Sequence, residues 1–257
     1  MEEKKIAQRF WEIDFLRGIA IIMMVLYHLL YNLHYFAHVN VNVYSGFWMY
    51  FARTTATIFI FLVGVSLSIS FSRTKRFSSG ATKETRLFLK SLRRGLKVFS
   101  WGLLITFITW IFLREGLIIF GILHLIGISI ILAYPFLKLH CWNLFFGLFC
   151  IILGAYLKGF IFNFSYLSWL GFRPAQFYSV DYFPLLPWFG VVLIGIFFGN
   201  IFYPDYSRKF QLVELSSLSG IKLLCFLGKH SLLIYLLHQP LMIAVFFLLG
   251  MVNVNLF

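Results

Sequence analysis

Runs of about twenty apolar residues recur along this chain, and they restrict it to few folds. A helix needs about 20 such residues to cross the hydrocarbon core of a bilayer. Seven runs reach roughly that length: Leu16 to Phe36, Phe47 to Phe71, Leu96 to Leu113, Leu117 to Leu137, Cys141 to Ile161, Leu185 to Tyr203 and Ser231 to Met251. They are continuous rather than alternating, which excludes a membrane barrel with its two-residue period. Helices satisfy their own backbone hydrogen bonds, as lipid cannot. The expected fold is an all-α, polytopic helical bundle of about seven transmembrane helices in one domain over residues 1–257. Composition agrees: only 12% of residues are charged and mean hydropathy is +0.87, against about 25% charged in a soluble domain.

The net charge of +13 raises nucleic acid as a partner, but its placement argues against that class. Nine of the 22 Lys and Arg residues lie between Arg73 and Lys97, beside an apolar run. Basic residues so placed set membrane orientation. The loop 72–95 and the connection carrying Arg208, Lys209, Lys222 and Lys229 are expected on the cytoplasmic side. Loop 37–46 has no Lys or Arg, and 162–184 has only Arg173. The N-terminus is then inside, and 162–184, rich in Tyr and Trp, lies at the outer interface. The start of the chain mixes Glu2, Glu3, Lys4 and Lys5 with no small-residue cleavage site after the apolar run. The first span is expected to remain as an anchor. The expected location is the cell membrane, as a multi-pass protein.

The first span carries a polar face. At 100° per residue, Arg17 and His28 are about three turns plus 20° apart, on one side of the helix and roughly 16 Å apart along its axis. Asp14 precedes Arg17 by three residues, and Asn32 follows His28 by four. Ionisable groups at such depth mark a polar cavity or a partner. The plainer reading is an Asp14–Arg17 boundary pair with His28 bonded to a neighbouring helix. Arg53, His124 and His238 each stand within or near another apolar run, and with His28 they are expected to line one polar cavity. Histidine is the natural general base among them. No HExxH, G-x-S-x-G or Walker A sequence is present, and Cys141, Cys150 and Cys225 form no paired motif. No metal site is expected. The Ser-rich tip 77–82 reads as a flexible loop.

The stretches DFLRGIAIIMMVLYH, FIFLVGVSLS, FGILHLIGIS and FLGKHSLLIYLLHQP resemble the catalytic domain of heparan-alpha-glucosaminide N-acetyltransferase over most of the chain. That family sits in a superfamily with acyltransferase family 3. The Arg17-x10-His28 spacing resembles the acyltransferase family 3 signature, where the pair is tied to acyl-CoA use and catalysis. The heparan enzyme has Asn where His28 stands. Its proposed catalytic histidine follows the first span in a Tyr-Phe-x-His stretch, which Tyr35, Phe36 and His38 resemble. The resemblance implies acyl-CoA, with acetyl-CoA first, as a co-substrate that is not permanently bound. It implies an acyl group moved to a hydroxyl or amine, with a cell-envelope sugar or lipid as acceptor, and it admits a homodimer. His28 and then His38 are the implied catalytic residues. Arg17, with Arg93 and Arg94, is expected to meet the acyl-CoA; Asp14, Asn32, Arg53, His124 and His238 line the cavity. The competing classes are a small-solute or anion transporter and a non-catalytic membrane protein.

Overall fold

The computed structural model describes residues 9–77, 83–112 and 117–251. The N-terminal charged residues, most of the Ser-rich tip and Glu115 lie outside them. Eight α-helices are present among the described residues: α1 Trp11–Phe36, α2 Gly46–Phe77, α3 Lys83–Phe112, α4 Ile122–Phe136, α5 Trp142–Leu157, α6 Leu185–Phe202, α7 Ser219–Lys229 and α8 Ser231–Leu248. No strand forms among these residues beyond two isolated bridges, Phe120 to Tyr182 and Phe162 to Pro174. The expected all-α class holds.

Among the described residues, four helices are long and apolar enough to cross a membrane: α1, α2 over Gly46–Arg76, α6 and α8. The helices α4 and α5 are apolar but have only 15 and 16 residues. At 1.5 Å per residue they reach about 22–24 Å, short of a typical hydrocarbon core of about 30 Å. The helix α3 starts at Lys83, well before its apolar half. The helix α7 lies in what the sequence suggested was a connection. Its Lys222 and Lys229 hide an amphipathic run whose Cys225 and Gly228 are buried.

The chain divides into two compact units. Of the described residues, the first comprises 9–59 and 212–251, with α1, the first turns of α2, α7 and α8. The second comprises residues 60–211, with the rest of α2 and α3 to α6.

In the first unit, α1 packs along α7 and α8. The α1–α7 crossing is set by glycine. A Cβ on Gly18 would overlap the Leu224 carbonyl, and one on Gly228 would overlap the Asp14 carbonyl. Small residues of this kind let membrane helices approach backbone to backbone. The Cys225 Sγ–H donates to the Trp11 carbonyl at 3.4 Å and ties the start of α1 to the same helix.

In the second unit, α6 packs on α5 and α4, and α3 packs on α4. The buried Ser68 of α2 donates its hydroxyl to Asn200 Oδ1 of α6 at 2.6 Å. The segment 162–184 is irregular, with one 3-10 turn at Ser168–Leu170. Tyr182 anchors it by donating to the Ser168 carbonyl at 2.6 Å, under the Arg173 guanidinium at 5.0 Å.

Candidate active site

The first helix is continuous from Trp11 to Phe36, so the spacing read from the sequence becomes a real face. That face meets α7 at its lower end and α8 above. Glu12 and Asp14 lie in the first turn, where negative charge suits the helix N-terminus. Asp14 is 3% exposed and accepts from Arg17 Nη1 at 3.0 Å, with Arg9 Nε at 3.8 Å. Arg17 is half-buried and its Nη1 also reaches the Gly228 carbonyl at 3.5 Å. The Asp14–Arg17 pair is therefore also a clasp between α1 and α7.

Three turns on, α1 meets α8 in a polar network. Asn32, 3% exposed, donates from Nδ2 to Gln239 Oε1 at 3.1 Å. Gln239 Nε2 lies 2.8 Å from His28 Nδ1. The same Asn32 nitrogen lies 3.6 Å from Met242 Sδ. A thioether sulfur only accepts, so the Asn32 atom facing it is the amide nitrogen, and the direction of the chain follows. Asn32 donates to Gln239, and Gln239 donates to His28. His28 Nδ1 is thus an acceptor, and the proton of the neutral ring sits on Nε2.

His238 stands beside this network, its ring centroid 4.8 Å from that of His28 and tilted by 54°. Its Nδ1 is 2.6 Å from the Tyr235 carbonyl. A carbonyl only accepts, so Nδ1 carries the proton. His238 Nε2 is buried and finds no hydrogen-bond partner among the described residues. Gln239 was not singled out from the sequence; its one signal was its place in the late anchor motif, between His238 and Pro240.

The remaining candidates are dispersed. Arg53 is exposed on α2. Its carbonyl accepts from Thr57 Oγ1 at 2.7 Å. His38 is exposed on the loop after α1, in a left-handed conformation with φ of 52°. It borders an open concavity of about 420 Å³ together with His34, Tyr35 and Tyr44. The end of α1 lies about 12 Å beyond His28 at 1.5 Å per residue, so the two histidines occupy different levels. Arg93 and Arg94 are exposed on α3 in the second unit.

His124 belongs to the second unit, where it serves α4. The Gly121 N–H donates to its Nδ1 at 3.2 Å, and its Nε2 meets Thr106 Oγ1 at 3.4 Å. The Thr106 hydroxyl in turn donates to the Ile118 carbonyl at 2.6 Å. This is the reverse half of a capping box, with a histidine at the third helical position reaching back to the N-cap backbone. Asp181 accepts the Ile122 N–H at 3.1 Å and completes the cap.

The fold and site define an all-helical membrane protein with an imidazole–amide network between its first and last described helices. Residues 9–240 match the family model described as "Heparan-alpha-glucosaminide N-acetyltransferase, catalytic", and the chain belongs to that family. The match ends at Pro240, so it takes in both His28 and the His238–Gln239 pair. Neither the curated proteins nor the solved structures give a match. Family membership, with the four long apolar helices, marks the chain as a membrane protein of acetyltransferase type.

Proposed function

We propose that this protein is an integral-membrane acyltransferase of the cell membrane, moving an acyl group, foremost acetyl, from cytosolic acyl-CoA to a hydroxyl or amine. The observation that carries the reading is the part-buried His28–Gln239–Asn32 network within a chain of this family. A helix pair that needed only packing has no use for an imidazole and two amides at this depth, where polar groups are costly.

The proposed topology has seven spans with the N-terminus cytoplasmic, and counts α3 to α5 as spans despite their short apolar lengths. The basic loop 72–95 supports that orientation. The donor enters from the cytoplasmic side. Arg17 meets its phosphates, since a guanidinium matches phosphate oxygens bidentately. The pantetheine arm runs along α1 and presents the thioester at His28, about 16 Å away by helix rise. The acceptor, a cell-envelope sugar or a lipid head group, comes from the outer side past the His34–Tyr35–His38 concavity. The acceptor heteroatom attacks the thioester carbonyl, and the imidazole cluster manages its proton. Surrounding helices keep water from the thioester.

The test uses radiolabelled acetyl-CoA and purified protein in detergent. His28→Ala is expected to lose thioester turnover by about 10²-fold or more, while His124→Ala keeps turnover per folded molecule. Full activity in both His28→Ala and His38→Ala would remove the proposal.

A further inference from the structure

We propose that His238, not His28, takes the acceptor's proton, and that Gln239 holds His28 as a neutral donor to the thioester carbonyl oxygen. The inference rests on the acyl-transfer reading above and assigns the roles within it.

The two rings carry their protons on opposite nitrogens. His28 Nδ1 accepts from Gln239, which leaves N–H at Nε2. His238 Nδ1 donates to the Tyr235 carbonyl, which leaves a bare lone pair at Nε2. That nitrogen is buried and unpaired among the described residues. Burying an acceptor without a partner is unfavourable, so packing alone does not account for it. With ring centroids 4.8 Å apart, one tetrahedral carbon and its substituents can touch both rings. A general base needs an uncommitted lone pair within reach of the proton it removes. His238 has one; His28, with Nδ1 engaged and Nε2 protonated, does not. A neutral imidazole donating N–H to a carbonyl is a known electrophilic arrangement.

The acceptor's O or N forms a bond to the thioester carbon as its proton moves to His238 Nε2. The carbonyl π pair moves onto oxygen, which accepts a hydrogen bond from His28 Nε2–H. The pair returns, the C–S bond breaks, and His238 gives its proton to the departing sulfur. Free CoA thiol and acylated acceptor leave, and both imidazoles are again neutral. His28 never loses its proton, so no imidazolate forms.

Two measurements test this. The first is the 15N spectrum of 15N-histidine-labelled protein in detergent. Wild type is expected to show His28 protonated at Nε2 and His238 at Nδ1. Gln239→Glu, whose carboxylate only accepts, is expected to move the His28 proton to Nδ1. A wild-type His238 protonated at Nε2, or a His28 tautomer indifferent to Gln239→Glu, overturns the assignment, whatever acceptor the enzyme uses. The second is CoA release from acetyl-CoA with two probe nucleophiles. Both amines shed one proton as product forms, but glucosamine is largely protonated at neutral pH and depends on a base, whereas hydroxylamine is uncharged, strongly nucleophilic and can relay its proton through its own oxygen. His238→Asn is expected to lose about 10²-fold or more with glucosamine and to change little with hydroxylamine. His28→Ala is expected to lose about 10²-fold or more with both. Gln239→Glu is expected to lower kcat and leave KM for acetyl-CoA unchanged. Equal losses with the two nucleophiles in His238→Asn, or no loss, refute the division of roles. Full activity in His28→Ala refutes the role given to His28; a wild type that releases no CoA with either nucleophile refutes the acyl-transfer reading itself, while the tautomer result stands separately.

Discussion

The α1–α7 crossing gives the sharpest stability prediction, because one substitution has opposite signs at two positions. In Gly18→Ala the new Cβ overlaps the Leu224 carbonyl oxygen and lies 2.8 Å from its carbonyl carbon and 3.1 Å from its Cα. Ordinary contact begins near 3.4 Å, so the two backbones must part by more than about half an ångström. Both partners are helical main chain, so no side-chain rotation relieves the overlap. Overpacking of this kind costs about 1–3 kcal/mol. Helix propensity returns about 1 kcal/mol, leaving a net loss of up to about 2 kcal/mol. For a chain of this size that corresponds to a fall of up to about 8 °C in melting temperature. A Cβ on Gly220, in α7 itself, would meet nothing within 4 Å. Gly220→Ala is therefore expected to stabilise by about 0.4–1 kcal/mol. The assay is thermal unfolding of both variants in the same detergent. A Gly18→Ala protein as stable as Gly220→Ala would refute the close crossing, and with it the position of Arg17 against Gly228. The separation is also expected to lengthen the 3.5 Å Arg17–Gly228 contact and weaken acetyl-CoA binding in Gly18→Ala.

Three further outcomes follow from named contacts. His124→Ala leaves the buried Gly121 N–H without its acceptor and is expected to cost about 1–3 kcal/mol, read as a lower melting temperature. Asp181→Ala removes the acceptor of the Ile122 N–H and is expected to cost about 0.5–2 kcal/mol, in the range of a lost helix cap, again by thermal unfolding. Lys138 donates to Glu84 Oε1 at 2.7 Å on the exposed side of α3 and α4, and this hydrogen bond and charge hold the Glu84 carboxyl below its usual range. A lowered carboxyl stabilises the fold above its unfolded pKa and loses that contribution as pH falls through the folded one. Any stability difference between wild type and Lys138→Ala is therefore expected to vanish on acidification through the carboxylate range and to shrink in high salt, both by thermal unfolding.

The polar face of α1 was legible because it lies within one helix, where 3.6-residue periodicity alone decides which side chains align. Asp14, Arg17, His28 and Asn32 needed no knowledge of any other element. Their partners were not legible. His28 and Gln239 are 211 positions apart, and no local pattern encodes which helix lies opposite. The same limit applied to α7, whose charged ends read as a loop until Gly228 and Cys225 were seen buried against α1. His124 shows the converse. Alone in an apolar run it resembled a cavity residue, yet Gly121 three positions earlier already marked an N-cap, and the ring closes that cap.

The roles of the two imidazoles are set by their acceptors and donors rather than by their depth. His28 and His238 stand ring to ring on facing helices of the first unit, so position alone would not separate their roles. What separates them is what each Nδ1 meets: an amide N–H for His28 and a backbone carbonyl for His238. The amide is directional only because Asn32 fixes Gln239, and Asn32 is directional only because a thioether can do nothing but accept. Met242, an apolar residue by any sequence count, therefore stands at the origin of a proton polarity expressed at His28. Met242→Leu keeps the volume and removes the acceptor, freeing the Asn32 and Gln239 amides to turn together. Its expected signature is a mixed His28 tautomer in the 15N spectrum with little change in melting temperature; a single unchanged tautomer would show that the polarity has another source.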